Sequence, residues 1–156
     1  MTDQPASINR NSVVSLREVT ADTVRVICRL DVSEVQKHFV APNSVSIAEA
    51  YFEPKAWFRA IYADETPVGF LMLYDNPEES EYFLWRFMVD AHYQKLGFGK
   101  TALDLLIAHV RTRPNAHALS LSCHPGDDGP EPFYRHYGFT LTGEFMGNEA
   151  VMRIDL

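Results

Sequence analysis

Trp85 to Thr101 reads WRFMVDAHYQKLGFGKT. The apolar run Phe87-Met88-Val89 leads through Asp90-Ala91-His92-Tyr93 into Gln94-Lys95-Leu96-Gly97-Phe98-Gly99-Lys100, and a helix-period segment, Thr101 to Val110, follows at once. The order is strand, tight loop with two glycines, helix. A helix start leaves backbone N–H groups without intrahelical partners. The helix dipole adds partial positive charge at the same point, and Lys95 and Lys100 flank it. Such a loop is an anion site, best suited to phosphate.

Two common phosphate loops do not fit. Gly99-Lys100 matches the Gly-Lys of a Walker loop, but the earlier glycine would fall at Gln94; and G-x-G-x-x-G fails because Ala102 stands three residues past Gly99. What remains is Gln94-x-x-Gly97-x-Gly99. Between a strand and a helix, that spacing resembles the pyrophosphate loop of the GNAT superfamily of acyl-CoA N-acyltransferases. A plain strand-to-helix turn that needs glycines would use the same residues, so the rest of the chain has to decide.

A chain of 156 residues is expected to form one domain, burying roughly 70% of its unfolded surface. The net charge of −7 argues against sequence-independent nucleic-acid binding, which needs a basic face, and permits a cationic substrate. Cys28 and Cys123 have no metal or redox spacing, and two free thiols point to a reducing compartment. The polar start and the lack of any apolar run near the roughly 20 residues of a membrane span predict a cytosolic protein without membrane contact.

Residues 1–11 are polar and aperiodic and read as a disordered tail, leaving 12–156 as the domain. A first strand is expected over Val13–Val19. Thr20 or Asp22 then caps a helix with Val24, Ile27 and Leu30 on one face and Val26 beside it. Ser46-x-x-Glu49 fits a capping box opening a second helix through Phe52, stopped by Pro54. Ala56–Ala63, Val68–Tyr74 and Tyr82–Val89 read as three antiparallel strands joined by short turns. After the Thr101–Val110 helix, whose buried face is Leu103, Leu106, Ile107 and Val110, Leu119–Ser122 is a strand parallel to Tyr82–Val89. Glu131–Tyr137 is a short helix ended by Gly138, and Phe139–Glu144 and Ala150–Ile154 are the last strands. The order βααβββαβαββ predicts an α/β (α+β) fold with a mixed central sheet of about seven strands flanked by helices. This order also matches the GNAT arrangement.

Phe133-Tyr134-Arg135-His136-Tyr137-Gly138-Phe139 resembles a second GNAT element, Y-x-x-x-G-F, in which the tyrosine points at the cofactor sulfur. With the glycine loop, the element order and the distance between the motifs, it outweighs the reading of Tyr134 as a core aromatic. The resemblance spans about residues 13–156. The Phe-x-Val-Asp-x-x-Tyr-Gln run and Gly143-Glu144 look closest to its spermine/spermidine acetyltransferase branch. One departure stands out: relatives often carry Asn and Ala where this chain has Asp127 and Pro130, and that Asn bonds the pantetheine arm. Asp127 accepts such a bond but cannot donate one as an amide does.

The resemblance implies acetyl transfer from acetyl-CoA to a primary amine of a small molecule in a ternary complex, polyamine first, without a metal. It implies that residues Gln94, Lys95, Leu96, Gly97, Phe98, Gly99, Lys100 and Thr101 cradle the pyrophosphate. A bulge around Met88 splays the fourth strand from the fifth, exposing an edge for the pantetheine amides and a Met88 or Val89 N–H for the thioester oxygen. Tyr134 is assigned as general acid to the departing thiolate. Cys123, just past the fifth strand, has no readable histidine partner for an acyl-enzyme. Glu81 is the expected base, on the parity of Phe83, Trp85 and Val89, although a solvated hairpin carboxylate explains it as well. Glu34, Glu49 and Glu53, on the helical pair that shapes the acceptor pocket, are expected to hold distal ammonium groups, exposed helix charges being the plainer reading. His124 near Asp127 and Asp128 lacks a second ligand at metal spacing. A homodimer is expected by resemblance. A non-catalytic CoA-binding module, and acetylation of aminoglycoside, amino-acid or protein amines, are the alternatives.

Overall fold

Period-two alternation sorts the strands onto two cores. The computed structural model describes residues 7–156. Its elements run β1 (Val14–Arg17), α1 (Val24–Arg29), α2 (Asn43–Phe52), β2 (Ala56–Ala63), β3 (Thr66–Asn76), β4 (Glu81–Val89), α3 (Phe98–Arg111), β5 (Ala118–Cys123), α4 (Glu131–Tyr137), β6 (Thr140–Met146) and β7 (Glu149–Asp155). They form a seven-stranded mixed sheet in the order β1-β2-β3-β4-β5-β7-β6, with β4 and β5 parallel and the other neighbours antiparallel.

On one face, Ile61 and Ala63 of β2, Leu71 and Leu73 of β3, Tyr82 and Leu84 of β4 and Leu119, Leu121 and Cys123 of β5 pack against Leu103, Leu106 and Val110 of α3. On the other, Ala60 and Tyr62, Phe70 and Met72, and Met88 pack with Ile27 of α1 and partly buried Ile47 of α2. The face of α3 read from periodicity is the buried one. Gly69 sits where β3 crosses β4, and a Cβ there would collide with the Met88 carbonyl oxygen.

The helical pair differs most from expectation. α1 ends at Arg29, with Thr23 rather than Thr20 or Asp22 at its N-cap and Val26 left exposed. α2 begins at Asn43, not Ser46. Pro42 precedes it in extended conformation and its carbonyl accepts from Val45 and Ser46 N–H at 3.0 and 3.1 Å. The expected capping box therefore does not form, and Ser46 is buried one turn inside the helix, its hydroxyl 3.4 Å from the Pro42 carbonyl. Between α1 and α2, Glu34–Gln36 makes an unexpected 3₁₀ turn. Of the expected tail, residues 1–6 lie outside the described residues. Ser12 N–H closes a turn on the Asn9 carbonyl at 2.9 Å, and Ile8 packs against the core. No helix among the described residues is long and apolar enough to cross a membrane.

Candidate active site

The site lies where the sheet comes apart. β4 and β5 pair only at Phe83–Ser120 and Leu84–Leu121. Leu73 faces Leu84 and Met72 faces Arg86, so Trp85 is an extra residue on β4. Beyond this bulge the two strands diverge, and a cleft of about 1120 Å³ opens between them. The α1–α2 connection, the end of β4, the loop before α3, the end of β5, the start of α4 and the start of β7 line it. The bulge sits three positions earlier than the expected one at Met88. It also reverses side-chain parity: Tyr82 and Leu84 face α3, whereas Met88 faces the opposite core.

Gly97 forms the N-cap of α3 at φ +86°, and Lys95 is also left-handed at φ +65°. No described residue accepts a hydrogen bond from the backbone N–H groups of 94–100, whereas Thr101 N–H, expected in the same cradle, is bonded to the Gly97 carbonyl at 3.2 Å. Gln94, Lys95, Gly97, Phe98, Gly99 and Lys100 line the cleft, whereas Leu96 packs against the core and Thr101 donates its hydroxyl to the Gly97 carbonyl at 3.2 Å. A Cβ on Gly99 would lie 3.2 Å from the ring of Phe133, which stacks on Phe87 at 6.0 Å. The Gln94 side chain braces the loop instead of facing outward. Its Nε2 donates to the Val89 carbonyl and to Gln36 Oε1, both at 2.9 Å.

Asp90 fixes this corner and escapes the sequence reading. Its carboxylate accepts from Asp31 N–H and His92 N–H, each at 2.9 Å, and so clamps the α1–α2 connection to the loop before α3. Burial pushes its carboxyl up, but those two N–H groups and the His92 ring outweigh that and hold it below the usual carboxylate range. An Asp directly after an apolar run, with a free N–H two residues on, is the turn signal that marks it. Asp90 N–H donates to the Val68 carbonyl at 2.7 Å. By the alternation of an antiparallel ladder, Met88 N–H is then also turned to β3, and Val89 N–H faces the split. Of the two predicted amides, Val89 is the one available.

Tyr134 approaches from the α4 side, 7% exposed, its ring 5.4 Å from Phe133, 5.7 Å from Phe139 and 6.4 Å from Phe87. Burial first, and the charges of Cys123 and Glu149 after it, push its hydroxyl well above the ordinary phenol value, so it stays a proton donor. Cys123 lies at the same corner, its sulfur 3.8 Å from that of Met152, and burial, with Glu131 and Glu149 adding, pushes its thiol up to about 11. Asp127 is exposed and does not line the cleft, whereas its neighbours Asp128, Gly129 and Pro130 do. The turn is held by buried Glu131, which accepts from Gly126 N–H at 3.0 Å and pairs with Arg135 at 3.2 Å.

The predicted carboxylates do not gather here. Glu81 is exposed at the start of β4 opposite Asn76, away from the cleft, and the bulge breaks the parity that would have joined it to Val89. Glu34 pairs with Lys37 at 2.7 Å, Glu53 accepts from Lys55 N–H at 3.1 Å, and Glu49 pairs with Arg86 at 3.2 Å. None of the three lines the cleft, but Arg86 and Glu149 do, and neither was singled out by sequence.

The profile of the acetyltransferase (GNAT) family matches residues 27–139. The chain is 28% identical over 152 residues to a probable spermine N(1)-acetyltransferase of Bacillus subtilis subsp. natto, covering 90% of this chain and 97% of that one. It is 34% identical over 76 residues to an L-2,4-diaminobutyric acid acetyltransferase of Streptomyces avermitilis, covering 48% of this chain and 42% of that one. In structure it resembles an acetyltransferase from Thermus thermophilus (TM-score 0.73, 16% identity, 92% and 97% covered). It also resembles a PaiA N-acetyltransferase from Thermoplasma acidophilum solved with coenzyme A (TM-score 0.67, 15% identity, 92% and 99% covered). With the split sheet, the loop of free amides and the family match over most of its length, this chain belongs to the acetyltransferase (GNAT) family and is an acyl-CoA-dependent N-acetyltransferase.

Proposed function

We propose that the protein transfers an acetyl group from acetyl-CoA directly to a primary amine of a small molecule, with spermine and spermidine as the first acceptors. The observation that carries this is the placement of Val89 N–H and the Tyr134 ring beside one split in the sheet, next to a loop of free backbone amides. Similarity to the Bacillus protein over 90% of this chain supports the polyamine choice. The diamino-acid enzyme matches less than half of it.

Acetyl-CoA supplies an acetyl thioester: the neutral amine attacks its carbonyl carbon, the C–S bond breaks, the sulfur leaves as a thiolate, and the surplus proton on the nitrogen passes to water. The free N–H groups of 94–100, with Lys95 and Lys100 nearby, would hold its diphosphate. The outward edge of β4 after the bulge offers Phe87 main-chain groups to the pantetheine amides. Val89 N–H is oriented to stabilise negative charge on the carbonyl oxygen. Tyr134, kept protonated by its surroundings, donates to the sulfur as charge builds there. A phenol kept neutral need only hydrogen-bond to a thiolate of pKa about 8.5 to favour its departure. Cys123 argues for direct transfer: a thiol pushed up to about 11 is almost wholly protonated near neutral pH and makes a poor acyl acceptor.

The test is an acetyl-CoA consumption assay over polyamines, aminoglycosides and amino acids, with products identified by mass. Turnover with spermine or spermidine above the other amines is expected. Tight CoA binding without turnover on any amine would contradict the proposal and favour a non-catalytic module.

A further inference from the structure

Six charged side chains line the cleft: Lys37, Arg86, Lys95, Lys100, Asp128 and Glu149. Three are engaged by opposite charges and a fourth, Asp128, by the His124 ring. Lys37 lies 2.7 Å from Glu34 and 3.4 Å from Asp31, Arg86 3.2 Å from Glu49, Lys100 3.1 Å from Asp104, and Asp128 3.5 Å from His124. Lys95 and Glu149 have no ion-pair partner among the described residues. The cleft thus presents one unpaired cation on the loop that receives the diphosphate and one unpaired anion across the split, on β7.

Register places that anion on the face of the sheet that carries α1 and α2, the helical pair expected to shape the acceptor pocket. Cys123 faces Ala150 and Ser122 faces Val151. Cys123 and Met152 point into the α3 core, so Ser122, Val151 and Glu149 turn to the other face, the one that Met88 occupies on β4. The Ser122 hydroxyl donates to Glu149 Oε2 at 3.2 Å, which orients the carboxylate while leaving Oε1 unbonded. Glu149, Tyr134 and Cys123 line the same cleft, and the Glu149 charge adds to the burial that pushes the Tyr134 hydroxyl and the Cys123 thiol up.

We infer that Glu149 draws in the acceptor: its carboxylate binds an ammonium group of a cationic amine distal to the reacting nitrogen and so holds that nitrogen, which attacks as the neutral amine, beside Tyr134. This rests on the acetyl-transfer reading and adds the residue that selects the substrate class. The part played by Glu149 is binding and orientation, not proton removal. An acceptor with its own carboxylate near the reacting amine would meet repulsion here, which places polyamines ahead of acidic amino acids.

Glu149→Gln keeps an acceptor for the Ser122 hydroxyl and removes only the charge. Spermidine binding to the CoA complex is measured by calorimetry for the wild type and for E149Q, beside steady-state kinetics. A charge-assisted hydrogen bond predicts spermidine affinity weaker, and KM higher, by about 10- to 100-fold in E149Q. The kcat is expected to change far less, and CoA affinity and Tm to hold. Ser122→Ala, which removes only the orienting bond, is expected to cost less affinity than E149Q. Spermidine bound equally well by E149Q would overturn the inference alone, as would a joint fall in CoA affinity and Tm, which marks a structural role. A wild type that binds CoA but neither binds nor acetylates spermidine would overturn the polyamine reading and this inference together.

Discussion

The two walls of the cleft are made differently. On the side proposed for the diphosphate the wall is main chain: the N–H groups of 94–100, shaped by left-handed Lys95 and Gly97. On the side proposed for the acceptor it is side chain: Arg86 on Glu49, Gln36 on Gln94, Glu149 on Ser122, all joined across long stretches of sequence. A main-chain wall, its two glycines apart, depends little on which side chains it carries and recognises a constant ligand. A side-chain wall changes its preference with a single residue, which suits a family that shares one acyl donor and differs in acceptors.

Tyr134→Phe tests the point where the walls meet and has the largest expected effect. Turnover is expected to fall by about 100-fold or more while CoA affinity, measured by titration, stays the same. Equal turnover would remove the phenol from the chemistry.

Asp90→Asn attacks the clamp between the walls. Exchanging a carboxylate that accepts from Asp31 and His92 N–H is expected to cost about 1–3 kcal/mol in urea unfolding. The sign with pH follows from the depressed carboxyl. Its contribution is complete above the unfolded carboxylate value of about 3.9 and is lost as pH falls through the lower folded value. The stability gap between wild type and D90N should therefore close on acidification below about pH 4. A gap that stays constant from pH 7 to pH 3 would show that the Asp90 charge is not what clamps.

Lys95→Ala has the smallest expected effect and sharpens the contrast most. An exposed cation contributes about 1 kcal/mol or less, so CoA affinity should drop only several-fold and the drop should shrink in salt. A loss of several orders of magnitude would mean that the wall is built of side chains after all.

The contrast also separates what could be read in the chain from what could not. Gly97, Gly99, Tyr134 and Gly138 are local signals, fixed by φ angles and short spacings, and strand alternation with short turns carried the element order and the mixed sheet. The acceptor wall depends on one inserted residue. Trp85 bulges, parity reverses, and Glu81 is left at an exposed turn while Arg86 reaches Glu49. Nothing in the local pattern of FLWRFMV announces that insertion. The Ser46-x-x-Glu49 box failed for a related reason: Pro42 starts α2 three residues early, so Ser46 is already inside the helix. Asp90, Gln36 and Glu149 act through partners far along the chain, and only the folded sheet brings them together.

The central claim is that the amides of 94–100 grip a diphosphate. Titrating the protein with coenzyme A and with pantetheine, which shares the thiol arm but lacks the diphosphate and nucleotide, tests it most directly. Coenzyme A is expected to bind at least about 100-fold more tightly, with Lys95→Ala preserving most of that difference. Equal affinity for the two ligands, or no binding of coenzyme A, would contradict it.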